Sequence, residues 1–191
     1  MTRRALIVMA KQPLAGRTKT RLSPPLSPAE AADLYSCLLL DTLDVVRKTA
    51  DLTPLTPFIA YSPPGAKSAF KALAPDFQLL AQQGDTLSKR LAGALLSVQA
   101  QGYDQVSAIN SDSPALPPAY LAGAFDELQK PQVDVVLGPC EDGGYYLIGW
   151  GRPYPHLVRE VTMSTPQVLS DTVALARRDG LTVALLPPWY D

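Results

Sequence analysis

The sequence predicts an α/β fold with a mostly parallel sheet and helices on both of its faces. Short apolar runs rich in β-formers alternate with segments of helical periodicity through most of the chain. The 191 residues and 47% hydrophobic composition suffice for a large core, and the length fits a single domain spanning residues 1–191.

Ala5 to Ala10 reads as a buried strand. "SPAE" follows with Ser27 as N-cap, Pro28 at the first helical position and Glu30 closing a capping box; the helix runs to about Ala50 with Leu34, Leu38, Thr42 and Val45 on one face. Phe58 to Tyr61 is a second strand, followed by a short helix from Ser68 to Leu73 and a strand from Phe77 to Ala81. Leu87, Leu91, Leu95 and Val98 fall at helical spacing behind Asp85 as N-cap. Val106 to Ile109 is a strand ending in "NSDSP", and Pro117 and Pro118 open a helix carrying Leu121, Phe125 and Leu128. Val133 to Leu137 and Tyr145 to Ile148 are strands around "EDGG". Thr165 and Pro166 start a helix to about Asp179, and Leu181 to Leu186 is the last strand.

Composition excludes several classes. A charged fraction of 18% and a net charge of -1 fit neither a nucleic-acid coat nor a disordered protein. Cys37 and Cys140 make no secreted disulfide framework, so a reducing cytoplasm is the expected compartment. The six-residue apolar run ending at Lys11 is too short for a secretory signal, and no run approaches a membrane span. The acid-poor, arginine-rich start imitates a transit peptide, but Pro13 and Gly16 break its amphipathic helix. The 19 prolines are scattered at segment ends and mark no linker.

Charge is unevenly spread all the same. The first acid is Glu30, so Arg3, Arg4, Lys11, Arg17, Lys19 and Arg21, six of the 17 cations, have no local counter-charge. Such a stretch is either a solvated arm or a site for an anion. In parallel α/β sheets ligands bind beyond the carboxyl ends of the strands, which singles out Lys11 to Arg21, Ser111 to Pro114 and Cys140 to Gly144.

"GRTKT" is not a Walker A loop, because Thr18 and Pro13 stand where glycines are needed, and Gly16 alone makes no dinucleotide fingerprint. What remains is a loop in which Gly16 allows close backbone approach and Lys11, Arg17, Lys19 and Arg21 bond phosphate oxygens. Asp112, and Glu141 with Asp142, follow strands; the two acidic loops could share a divalent cation completed by water and substrate phosphates. The structural alternatives are an Asx turn at "SDSP" and a tight turn at "EDGG" with Gly143 and Gly144 at positive φ. One histidine, His156, cannot build a triad or a multi-histidine zinc site and reads as packing or surface. Cys37 reads as core; Trp150, Trp189, Tyr145 and Tyr146 read as packing, with stacking on a base or sugar the alternative.

Lys-x-Pro-x-x-Gly-x-x-Lys-Thr-Arg-Leu at Lys11 to Leu22, "SDSPALP" and "EDGGYYLIG" together resemble a bacterial family of largely uncharacterised proteins. Its members are described as nucleotide-diphospho-sugar transferases or glycosyltransferases of the glycosyltransferase-A fold, some linked to arsenosugar biosynthesis. The resemblance covers nearly the whole chain and implies a Rossmann-like three-layer α/β/α sandwich with a mixed, mostly parallel sheet. The fold also resembles that of the molybdenum-cofactor and 2-phospholactate guanylyltransferases. Carried over to this sequence, the resemblance puts Lys11, Gly16, Arg17, Lys19 and Arg21 on phosphates, and Asp112 on Mg2+ or Mn2+ with Asp142 as second ligand. Asp112 and Lys19 are the candidate catalytic residues, and "QQGDTLSKRL" offers Gln83, Gly84 and Asp85 to base or ribose. Two departures stand out. Ser111-Asp112-Ser113 replaces the Asp-x-Asp of many such glycosyltransferases, and relatives are expected to continue past "PPWYD" through an acidic segment that Asp191 would begin.

The expected activity is a metal-dependent, nucleotide-using transfer to a small-molecule acceptor the sequence does not identify. A nucleotide sugar is the first choice of donor. Nucleotidyl transfer from a nucleoside triphosphate with pyrophosphate release is the alternative, and a nucleotide-binding protein without turnover is the third. No nucleic acid and no membrane span enter any of these readings.

Overall fold

The structure, a computed structural model, describes residues 2–190; Asp191 lies outside the described residues. Seven strands form one sheet: β1 (Arg4–Lys11), β2 (Thr56–Ser62), β3 (Gln78–Ala81), β4 (Gln105–Ile109), β5 (Val135–Pro139), β6 (Tyr145–Trp150) and β7 (Val183–Leu185). Their order across the sheet is β3-β2-β1-β4-β6-β5-β7. Only β6 runs against its neighbours, pairing antiparallel with β4 and β5.

Six helices cover the faces: α1 (Pro28–Leu52), α2 (Lys67–Leu73), α3 (Leu87–Gln99), α4 (Pro118–Leu128), α5 (His156–Arg159) and α6 (Val168–Arg178). Alternation along β1 divides the core. Leu6, Val8 and Ala10 pack with Leu39, Leu43, Phe70 and Phe125 from α1, α2 and α4 on one face. Ala5 and Ile7 pack with Leu91, Leu95, Leu157 and Ala176 from α3, α5 and α6 on the other. A strand buried on both faces must be apolar throughout, which is why residues 5–10 carry no alternation.

The capping box of α1 forms as expected: the Glu30 amide donates to Ser27 Oγ at 3.2 Å and the Ser27 amide donates to the Glu30 carboxylate at 2.8 Å. These bonds hold the Glu30 carboxyl below its ordinary range. The buried face of the helix differs from the expected one. Tyr35, Leu39, Leu43 and Val46 point inward with Thr42 and Val45, whereas Leu34 is 40% exposed. Cys37, expected in the core, is exposed on the same helix. Thr86 rather than Asp85 caps α3, its hydroxyl accepting from the Lys89 amide at 3.3 Å. The last long helix begins at Val168, three residues after the expected start.

The single antiparallel strand positions the site. Because β6 opposes β4 and β5, its first residue, Tyr145, lies at the sheet edge where β1, β4 and β5 end. The loop after β1, the loop after β4 and the β5–β6 turn therefore share one edge.

Candidate functional site

The basic loop is built as a series of local turns. Leu14 to Arg17 is a turn closed by the Arg17 amide on the Leu14 carbonyl at 3.0 Å, with Gly16 at φ 72°. A Cβ on Gly16 would meet no protein atom within 4 Å, so within the chain the glycine is required by its left-handed turn position. Thr18 is buried, and its hydroxyl donates to the Leu14 carbonyl at 3.1 Å and accepts from the Leu14 amide at 3.3 Å. Lys19 takes a left-handed φ of 48° before a one-turn helix over Thr20–Leu22.

That backbone turn brings Lys19 Nζ onto the carboxylate of Asp112, which stands in the loop after β4. Neither partner is fully buried, at 31% and 24% side-chain exposure, so both remain within reach of a ligand. Around them lies an open cavity of about 530 Å³ lined by Lys11, Arg17, Lys19, Arg21 and Asp112. Four cations thus face one carboxylate, an excess of positive charge that suits an anion.

Tyr35 braces the two loops from beneath. Its hydroxyl accepts from the Lys11 amide at 3.0 Å and bonds Ser111 Oγ at 2.7 Å. Burial pushes the phenol up, so it stays protonated across the neutral range. Tyr35 escaped the sequence reading, and Thr18 and Ser111 entered it only as members of their loops, without this bracing role; the one available signal for Tyr35 was its helical spacing between Ala31 and Leu39.

Arg3 and Arg4 are not part of this site. They sit at the opposite end of β1, where the Arg3 guanidinium donates to the Gln101 and Gly102 carbonyls at 3.0 and 3.2 Å and Arg4 bonds Gln105 and Thr53.

A second cavity of about 440 Å³ adjoins the first, sharing Met9 and Arg21 with it. Asp142 lines this one, with Asn110, Tyr145, Ser164 and the apolar Leu87, Leu91 and Val168. "EDGG" is indeed the turn of the β5–β6 hairpin, with the Cys140 amide on the Gly144 carbonyl at 2.9 Å. Only Gly143 has positive φ, at 87°, and a Cβ there would come within 2.0 Å of the Pro166 carbonyl oxygen. Asp142 Oδ1 accepts from the Gly144 amide at 2.8 Å. Tyr145 Oη donates to Met163 Sδ at 3.7 Å, and burial pushes its phenol up to about 12.

Gln83, Gly84 and Asp85 lie exposed on the β3–α3 loop and line neither cavity. Asp85 pairs with Lys89 at 2.9 Å, and the Gly84 carbonyl accepts from Arg90 at 2.8 Å. Gln82 turns inward instead, donating to the Ala60 and Ala10 carbonyls at 2.7 and 3.2 Å. The aromatics expected to pack do so: Trp150 is fully buried with its indole N–H on Gln99 at 3.0 Å, and Trp189 meets Tyr120 edge to face at 5.7 Å.

Among the described residues no cluster of three or more His, Cys, Asp or Glu is arranged to hold a metal. The donor set fits a hard divalent cation shared between one carboxylate, water and phosphate oxygens, and does not fit an all-protein cage.

Comparison with solved structures agrees with this architecture. A candidate nucleotide-diphospho-sugar transferase from Desulfovibrio desulfuricans G20 superposes with a TM-score of 0.90 and 32% identity, over 100% of this chain and 82% of that one. A CMP:2-keto-3-deoxy-manno-octonic acid synthetase complexed with CTP gives a TM-score of 0.61 at 12% identity, over 98% of this chain and 91% of the other. Glucosyl-3-phosphoglycerate synthase from Mycobacterium tuberculosis, in complex with Mn2+, UDP and phosphoglyceric acid, gives 0.59 at 11% identity, covering 98% and 68%. The latter two likenesses show the shared nucleotide-diphospho-sugar transferase fold, Rossmann-like with a mixed, mostly parallel sheet. No functionally curated protein matches the sequence. Residues 43–165 match the family described as "Uncharacterized protein conserved in bacteria (DUF2064)", and on that match, with the full-length likeness to the Desulfovibrio protein, the chain belongs to this family.

Proposed function

We propose that this protein is a metal-dependent, nucleotide-using transferase that takes a sugar from a nucleotide-diphospho-sugar donor. One observation carries the reading: the Lys19–Asp112 pair sits in a cavity whose other charged walls are Lys11, Arg17 and Arg21. Preorganised cations stabilise the charge that grows on a departing diphosphate, and in a partly enclosed site they do so without solvent reorganisation. Lys19 and Arg21 hold the diphosphate; Lys11 and Arg17 steer it in. Asp112 would hold Mg2+ or Mn2+, which supplies further neutralisation of the leaving phosphates. Asp142 lines the adjoining cavity, and this reading gives it no essential part in holding the ion. The description of the Desulfovibrio relative supports glycosyl transfer. The number of cations favours, as second reading, nucleotidyl transfer from a triphosphate.

The test is calorimetric titration with nucleotide sugars and nucleoside triphosphates, with and without Mg2+ or Mn2+, alongside an assay for pyrophosphate. Tight metal-dependent binding of one nucleotide sugar without pyrophosphate release is expected; pyrophosphate release establishes the second reading. Lys19→Ala and Arg21→Ala should each weaken nucleotide affinity by about 10- to 100-fold, the range of a charge-assisted hydrogen bond. Unchanged affinity in both variants refutes the phosphate site. Asp112→Asn should abolish turnover, and a protein that binds one nucleotide but turns over neither donor class is a binder only.

A further inference from the structure

Two residues other than glycine adopt left-handed backbone among those described, Lys19 at φ 48° and Ser164 at φ 61°. Each costs about 1–3 kcal/mol and persists only where its surroundings over-determine it, as at ligand clamps. Lys19 lines the first cavity and Ser164 the second. The segment carrying Ser164 is pinned to the hairpin turn: Pro166 packs against Gly143, and the Leu169 amide donates to the Gly143 carbonyl at 3.1 Å.

The two cavities differ in charge. The only charged residues lining the second are Arg21 and Asp142, one of each sign. The remaining wall combines Leu87, Leu91, Ile148 and Val168 with the neutral polar groups of Asn110 and Thr165. A phosphorylated molecule entering there would shed water against the apolar part of the wall and meet one cation, Arg21, that faces the first cavity as well, together with the like charge of Asp142. A neutral hydroxyl compound would lose little and bury its apolar body.

Resting on the transferase reading above, we propose that the second cavity receives the acceptor, and that this acceptor is an uncharged hydroxyl compound with an apolar or aromatic body. Its hydroxyl oxygen forms the bond to the anomeric carbon of the donor sugar as that carbon's bond to the diphosphate oxygen breaks. The nucleoside diphosphate leaves with the electron pair, and the hydroxyl proton passes to the Asp142 carboxylate. Asp142 Oδ1 is held by the Gly144 amide, which leaves Oδ2 for that proton.

Two probes with one aromatic body distinguish the classes: phenyl β-D-glucoside and phenyl phosphate, titrated by ligand-observed NMR, with UDP or CTP followed by phosphorus NMR in the same samples. The glucoside should bind at least about tenfold more tightly than the phosphate ester. Leu87→Lys, at a rim position that is 49% exposed, should narrow or reverse that preference. Thr165→Trp should abolish glucoside binding while leaving nucleotide binding intact. Binding of neither probe, tighter binding of phenyl phosphate to the unmodified protein, or indifference to both substitutions overturns the proposal. Loss of nucleotide binding in the unmodified protein, with the glucoside still bound, would instead overturn the donor site on which it rests. Once a donor is known, Asp142→Asn, which keeps the Gly144 hydrogen bond, should lower kcat without changing donor affinity.

Discussion

Tyr35 shows how much of the site depends on one hydroxyl. It joins the start of the basic loop to the residue preceding Asp112, so the cations and the carboxylate are held at a set spacing before any ligand arrives. Tyr35→Phe keeps the ring packed but leaves the Lys11 amide and the Ser111 hydroxyl short of a partner. Denaturant unfolding should show a loss of about 1–3 kcal/mol, and nucleotide titration a weaker affinity at unchanged stoichiometry. An equal affinity in the variant would mean that the loops hold their spacing without it. The residue was hidden in the sequence by phase. Leu38, Leu39 and Leu40 ring the helix, so periodicity gives the spacing of the buried stripe but not which of several frames faces the sheet: Leu34 and Leu38 share the spacing, whereas Tyr35 and Leu39 are buried. Lys19 and Asp112, by contrast, were both legible, because an acid-free basic loop and an aspartate closing an apolar strand are local patterns. Their direct pairing was not legible, since it requires the left-handed turn at Lys19.

At the scale of elements, the β5–β6 hairpin is the decisive piece. Tyr145 at its return has a phenol pushed by burial from 10.0 to about 12. A group whose folded pKa lies above its unfolded value contributes fully below the unfolded pKa and loses that contribution as pH rises to the folded one. Stability should therefore be insensitive to this residue below about pH 10 and fall between about pH 10 and 12. The difference in denaturation profile between the protein and Tyr145→Phe across that window should amount to roughly 2–3 kcal/mol. The strands themselves were legible to within two residues, because the apolar runs end at charged, polar, glycine or proline residues. The direction of β6 was not, since a continuous apolar run carries no mark of which neighbour it opposes. The turn reading and the site reading of "EDGG" turn out to be compatible: the glycine that closes the hairpin also seats the wall of the second cavity. Four-residue α5 has too few turns to leave a periodic signal.

For the whole molecule, net charge says little about the field a ligand meets. The chain carries -1 overall, yet four cations crowd one cavity while Arg3 and Arg4 are spent on carbonyls and side chains at the far end of β1. Raising salt from about 0.1 to 1 M shortens the screening length from about 10 to 3 Å. Nucleotide affinity should therefore drop steeply over that range, while glucoside affinity in the neutral cavity should hold or rise; parallel titrations in both salts measure the difference. No described helix is long and apolar enough to cross a membrane.

The contact between Gly143 and the segment around Pro166 has one more consequence. The Leu169 amide hydrogen is held by the Gly143 carbonyl across that contact, so it can exchange with deuterium only when the wall of the second cavity lifts from the hairpin. A single proton thus times the breathing of that wall, and its slowing on addition of a compound would signal occupancy even when no product is formed.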